Sequence, residues 1–446
     1  MRFAVMLPAA VSLAVVAGAG AWAQTQYFDP GKKLADTVSA ETNSKLKISF
    51  ETRARFEDRT GNAFGKEPDR NYGLFRNRFG MSYAPVKWIK FSGMVQDSRV
   101  PGYGPGAPNN MRDRAGLHEA YFELFPGQKQ GFGFTAGRAM LNYGEGRLIG
   151  TPQWSNVART YDNARLSYKT NRAQFEVLMV SPVKIRTEDF NQPVLGDRIW
   201  GMYSTLPNAI GKSLLEVYAL RHDQNRIAGF TGGSTSAGTD RLSTNTVGFR
   251  MAGPVVGGWQ YSVENAWQGG SIGPASQRAA ALFAGLSNRW TVGKKPLDIS
   301  AEYKYASGTG DPKNATRSGT FDQLSPANHD KFGHEDLFGW RNVHNTRSVA
   351  SLGLTKRVAF NLMYDSIWLA SRRDALYNGS GKAIVRSADG SAGRHVGQEL
   401  DGFVTCKAGP YLFGGGYGYF FNGEVIRKLT PGATPTYVYV FSSYSF

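Results

Sequence analysis

Arg53 and Arg55 stand two residues apart in LKISFETRARFE (46–57), and Arg76 and Arg78 stand two apart in GLFRNRFGMSY (73–83). Arg138, Arg147, Arg159 and Arg165 follow within residues 137–168. A guanidinium binds a carboxylate through two parallel N–H···O bonds, so a row of them is chemistry for holding anions. Glu119, Glu123, Glu399 and Asp401 are the acids placed to orient such arginines or to gate a path between them. Catalytic constellations do not emerge. There is no H-E-x-x-H and no G-x-S-x-G, and GSGKA (379–383) lacks the upstream Gly and the Ser/Thr of a phosphate loop. In GGGYGYFF (414–421) the glycines sit in a strand pattern, where they allow bending or aromatic packing. HDKFGHED (329–336) offers His329, Asp330, His334, Glu335 and Asp336, but the spacing matches no familiar metal-ligand pattern. No motif calls for a cofactor.

The elements that carry these residues read as strands. In LKISFETRARFE, Leu46, Ile48, Phe50, Ala54 and Phe56 share one face, and Lys47, Glu51, Arg53 and Arg55 share the other. This period of two is that of a half-buried strand. GLFRNRFGMSY sends Phe75, Phe79, Met81 and Tyr83 one way and Arg76 and Arg78 the other. WIKFSGMVQD (88–97), EAYFEL (119–124) and PLDISAEYKY (296–305) repeat the pattern, and EAYFEL sets Glu119 and Glu123 opposite Ala120, Phe122 and Leu124. No stretch after residue 24 reads as a convincing amphipathic helix.

Connections alternate in length. Short ones such as APVK (84–87), TNR (170–172), GKKP (293–296) and KAGP (407–410) interleave with long polar loops. The long ones lie near 58–72, 97–114, 139–161, 182–197, 222–240, 306–346, 371–395 and 421–436. Short turns at one end and long loops at the other are the plan of an all-β transmembrane antiparallel barrel. About 18 strands of roughly ten residues fit the chain, each long enough to cross a bilayer when tilted. A soluble sandwich would need neither the loop asymmetry nor so many aromatics on one face.

The termini and composition agree. Arg2, an apolar run over 3–20 and Ala21-Trp22-Ala23 make a signal peptide (1–23), followed by a polar periplasmic lead (24–44) and the barrel (45–446). The last segment, YVYVFSSYSF, ends on the aromatic Phe446, a terminal strand of the kind read by outer-membrane assembly machinery in Gram-negative bacteria. One cysteine, Cys406, rules out an intrachain disulfide or a thiolate metal cluster. A formal charge of +17 calls for acidic partners. A secreted chain does not meet nucleic acid, which leaves anionic lipid, lipopolysaccharide included, or an anionic solute. With apolar faces on lipid, parity turns the arginines toward a lumen, where a surplus of positive charge attracts anions. The 139–161 connection is expected to fold inward, because Trp154, Arg159 and Asp162 need partners that open solvent would not supply.

Several stretches resemble the bacterial alginate export family of outer-membrane porins. They are RNRFGMSYAPVKWIKFSGMVQDSR (76–99), HEAYFEL (118–124), GRAMLNYGEGRLIGTPQWSNVARTYDNARLSY (137–168), FDQLSPANHDKFGHEDLFGWRN (321–342) and GQELDG (397–402) with GYGYFFNGE (416–424). The resemblance implies a monomeric 18-stranded barrel passing a polyuronate through an arginine-rich lumen. It implies that Arg53, Arg76, Arg78, Arg138, Arg147, Arg159 and Arg165 contact carboxylates, and that Glu119, Glu399 and Asp401 orient them or gate the pore. A periplasmic export scaffold is the partner such an exporter works with. A diffusion porin for small anions or oligosaccharides is the alternative.

Overall fold

A computed structural model describes residues 29–187, 189–225 and 241–446; the expected signal peptide (1–23) lies outside the described residues. Eighteen long strands close into one antiparallel barrel. In chain order they are β1 (Leu46–Thr60), β2 (Arg70–Val86), β3 (Ile89–Arg99), β4 (Asp113–Leu124), β5 (Gly131–Ala139), β6 (Tyr161–Lys169), β7 (Gln174–Lys184), β8 (Asp197–Ile210) and β9 (Ser213–Gln224). The second half comprises β10 (Leu242–Pro254), β11 (Gln260–Ile272), β12 (Ala275–Val292), β13 (Lys295–Ala306), β14 (Val343–Gly353), β15 (Val358–Leu369), β16 (His395–Ala408), β17 (Tyr411–Asn422) and β18 (Thr436–Ser445). Each pairs with its chain neighbour, and β1 also pairs with β18, Glu51 opposite Ser445 through Thr60 opposite Thr436. Closure leaves no edge and satisfies the backbone without water, as a bilayer demands. No helix among the described residues is long and apolar enough to cross a membrane, which says nothing against crossing by strands.

Parity runs as expected. Phe56, Phe75, Phe79, Met81 and Phe91 are exposed on the outside, while Arg53, Arg55, Arg76 and Arg78 are buried inside. Trp200 and Ile210, ten residues apart on β8, are both exposed outward. At about 3.3 Å per residue and a tilt of about 40°, they bound a band about 25 Å tall, the height of a bilayer's apolar layer.

Two expectations need correction. The lead is not merely polar chain: Pro30–Glu41 forms helix α1. Asp29 caps it by accepting from Lys32 N, and Pro30 opens its first turn, where a missing N–H costs nothing. Its narrow inner face hides it from a pattern search. Gly31 lies against the Phe446 ring, where a Cβ would collide with it. Nor are all outer connections long, because β11 and β12 join through a two-residue turn at Gly273-Pro274.

The loops between β5 and β6 (140–160) and between β13 and β14 (307–342) turn inside, as expected for the first of them. Leu148 and Ile149 from one, and Phe321, Phe338 and Trp340 from the other, share a buried core with wall residues Tyr161, Val180, Ile199 and Ile367. That core lies in the outer half of the barrel. Inward positions near the periplasmic end, such as Lys47 and Ser49, stay exposed. The strands thus form a wall, and two long loops stopper its outer half.

Candidate functional site

On the inner face of β1 and β2, Arg53 and Arg76 are direct cross-strand partners, and Glu51 faces Arg78. Like charges directly opposite destabilise a sheet unless something compensates them. Part of the compensation comes from acids. Glu51 pairs with Arg76 and lies 3.5 Å from Arg78, and Glu57 takes Arg55 at 2.6 Å and Arg59 at 3.0 Å. The count is five arginines to two acids. The rest comes from the backbone of the 140–160 loop. Arg53 donates to Gln153 O (3.1 Å), Trp154 O (2.8 Å) and Ser155 O (3.2 Å). Arg76 donates to Gln153 O and Ser155 O, both at 2.9 Å, and Arg55 to Trp154 O at 2.7 Å. Arg78 reaches the side chains of Gln96 (2.6 Å) and Gln153 (2.9 Å). The Trp154 ring lies 4.0 Å from the Arg55 guanidinium and stacks on His329 of the second loop at 4.8 Å. Arg53 Nε is buried with no hydrogen-bond partner among the described residues.

A second group forms across the lumen. Arg147, carried on the loop, pairs with Glu145 (2.7 Å) and with Glu264 of β11 (3.2 Å), and its guanidinium sits 3.3 Å from the Phe283 ring centroid. Arg250 of β10 bridges Glu145 (2.7 Å) and Glu216 (2.5 Å). Burial pushes the Glu145 carboxyl up, but Arg147 and Arg250 outweigh it and hold the group at about 2. Arg165 points inward and lies 3.9 Å from Glu176. Arg159 ties the two loops together by donating to Pro326 O at 2.7 Å.

The acids serve different places. Glu119 accepts from Met140 N (2.8 Å) at the root of the loop, and Glu123 pairs with Lys90 near the periplasmic turn. Glu399 and Asp401 of β16 seat the second loop by accepting from Glu335 N (3.0 Å) and His334 N (3.4 Å). Gly333, at φ +100°, makes the approach possible: a Cβ there would stand 2.2 Å from the Glu399 carboxylate. Burial pushes the Glu335 carboxyl up to about 8; Arg59 opposes the shift and Asp401 adds to it. Among the described residues no group of three or more His, Cys, Asp and Glu has a geometry that could hold a metal ion.

Arg138 is the misplaced residue. It follows Phe132 and Phe134 in parity and stands opposite Asp162, so it lies on the outer face of the wall. There it pairs with Asp162 (2.7 Å) and donates to Asn191 O (2.9 Å) of an overhanging loop. Sequence reading passed over Arg250 and the Arg347–Asp365 pair (3.0 Å). The alternation Val247, Phe249, Met251 against Thr246, Gly248, Arg250 carried the signal for the first.

A closed barrel of tilted strands with an apolar outer band and a charged inner face is an outer-membrane porin. The chain belongs to the alginate export family, whose profile matches residues 44–441. Comparison with curated proteins gives no match. Solved structures share the fold at low identity. A BenF-like porin from Pseudomonas fluorescens Pf-5 is 8% identical with a TM-score of 0.58, covering 90% of this chain and 98% of that one. OccK11 (OpdR) of Pseudomonas aeruginosa is 10% identical at 0.58, covering 90% and 96%. OccK2 (OpdF) of Pseudomonas aeruginosa, solved with glucuronate, is 10% identical at 0.54, covering 90% and 98%. Family and fold are those of outer-membrane channels, in the outer membrane of a Gram-negative bacterium.

Proposed function

We propose that the channel passes an anionic, alginate-like polysaccharide or oligosaccharide, and that its carboxylates take the arginine donors now held by the 140–160 loop. The observation that carries this reading is the occupancy of Arg53, Arg55 and Arg76 by the backbone carbonyls of residues 153–155. A carbonyl is a neutral acceptor and leaves the positive charge in place. A carboxylate accepts from a guanidinium bidentately, with roughly twice the strength of a neutral acceptor. An incoming uronate therefore competes well for donors that the loop only borrows, and Arg53 Nε is a buried donor ready for one more acceptor. Arg147, Arg159 and Arg165 serve a different role in this reading. Arg147 and Arg159 hold the loop to Glu264 and to Pro326 O, Arg165 stands beside Glu176 on the wall, and all three become contacts only as the loop moves. Glu399 and Asp401 keep the second loop seated while the first is displaced. Several weak carboxylate sites in succession suit transport better than one tight site, which would trap a polymer.

The small-anion reading has its own support. OccK2, alike in fold, was solved with glucuronate, a single uronate, and the same arginine chemistry serves a monomer as well as a chain. Planar-bilayer recordings of the refolded protein across a salt gradient separate the two, with alginate oligomers and a neutral glucan added in turn. Anion-selective current blocked by alginate alone supports the polyuronate channel. Anion-selective current indifferent to both polymers favours the small-anion porin, and cation-selective current overturns both.

A further inference from the structure

The outer wall carries a basic sector that the lumen does not use. On β8 to β12, Arg198, Arg221 and Arg278 lie on the lipid-facing side near the outer strand ends, and Arg241 lies just before β10. The register sets them close together. Arg221 is opposite Trp200 and Asn245, Asn245 is opposite Gly269, and Gly269 is opposite Arg278, so one row crosses the sheet at the level of Trp200. One pair further out, Arg198 stands opposite Asp223. Asp223 is the single acid facing outward here among the described residues. It accepts from Arg221 Nε (2.9 Å) and Trp200 Nε1 (3.2 Å), and Arg241 lies 3.6 Å away. Four arginines against one aspartate leave a surplus at the upper edge of the apolar band.

Elsewhere on the outside, Arg99 pairs with Asp97 at 2.6 Å and Arg138 with Asp162 at 2.7 Å. Across the barrel, the outward positions His344, Trp368 and His395 form one row, with the single guanidinium of Arg394 near His344. Below the row the wall is apolar, with Trp200, Met202, Val247 and Trp267 all exposed. Between β11 and β12 the connection above it is short, the turn at Gly273-Pro274. A ligand that fits must therefore bring acyl chains alongside the wall and dianionic groups at the edge of the bilayer. Guanidinium forks match phosphate in charge and geometry.

We infer that the outer face of β8–β12 is a binding site for a phosphorylated glycolipid of the outer leaflet, whose phosphates meet Arg198, Arg221, Arg241 and Arg278 while its acyl chains lie on Trp200 and Trp267. The site is independent of what the lumen carries. It is tested with the refolded full barrel in detergent, titrated with bisphosphorylated lipid A and with the same lipid dephosphorylated. The phosphorylated form should bind ~10-fold more tightly, and millimolar inorganic phosphate should not displace it. The triple variant Arg198→Gln, Arg241→Gln, Arg278→Gln should lose that preference while keeping wild-type conductance, which reports folding. A control, Arg99→Gln with Arg138→Gln, should change it by less than ~2-fold. Equal binding of the two lipids overturns the assignment, as does an unchanged preference in a folded triple variant. Displacement by inorganic phosphate overturns the lipid as ligand. Should the triple variant not fold, the comparison of lipids on the unaltered protein decides.

Discussion

The inner wall at β1–β2 and the inner wall at β16 hold their loops by opposite means. At β1–β2, guanidiniums grip the carbonyl oxygens of residues 153–155. At β16, carboxylates grip the amide hydrogens of His334 and Glu335. Both use the polar backbone of an irregular segment, which must find partners once buried. They differ in what could replace the loop. An anionic solute offers the first wall a better acceptor than a carbonyl, and it offers the second wall only repulsion. On the proposed reading, a solute anion can release the first contact and not the second. Trp154 on His329 and Arg159 on Pro326 O join the two loops.

The comparison breaks most readily at the basic wall. Arg53→Ala combined with Arg76→Ala should lower the anion-over-cation permeability ratio by ~10-fold in reversal-potential measurements. A ratio that stays put would remove that wall from the permeation path. Next comes the join. Trp154→Ala deletes the stack on His329 and the cover over Arg55, so mean conductance should rise ~2-fold or more as the first loop frees itself. An unchanged conductance would mean that the carbonyl contacts alone keep the lumen stoppered.

The acidic wall answers to pH. An acid held above its ordinary value of 4.5 favours the docked loop most at pH below that value, and the advantage is lost as pH rises toward about 8. Groups facing Glu335 include Arg59, Asp401 and Glu399. Protease cutting within 307–342 should therefore speed up by ~3-fold between about pH 5 and pH 8.5, and Glu335→Gln should flatten the curve. A flat curve for the unaltered protein counts against the seat. The smallest effect belongs to Arg138→Ala. Facing outward, Arg138 should leave selectivity within measurement error and cost about 1 kcal/mol or less, the worth of a partly exposed ion pair.

Much of this was legible in the sequence, for a physical reason. A strand between lipid and lumen must alternate, so Phe75, Phe79 and Met81 fixed the direction of Arg76 and Arg78 without further information. The same rule, applied to Phe132 and Phe134, would have sent Arg138 outward; reading it with its motif rather than its parity put it inside. The loops obey no period. Their aromatic content, Phe321, Phe338 and Trp340 in the second, is what betrays burial. Which wall a loop leans on depends on contacts between residues about a hundred positions apart, such as Arg53 with Trp154, and no local pattern records them. The helix at 30–41 had its signals in Asp29 and Pro30, but its inner face was too slight to register.

The pairing of β1 with β18 sets an order of events. Tyr437 donates to Glu57 across 380 positions of chain, and Arg59 sits 3.7 Å from the same ring. Contacts of such sequence separation form late, after intervening chain has lost most of its freedom. β1 presents Arg53 and Arg55 to the first loop, and Trp154 packs against Tyr439 and Phe441 of the closing strand β18. A sheet not yet closed therefore offers the loop only part of its dock, and closure supplies the aromatic side against which Trp154 packs.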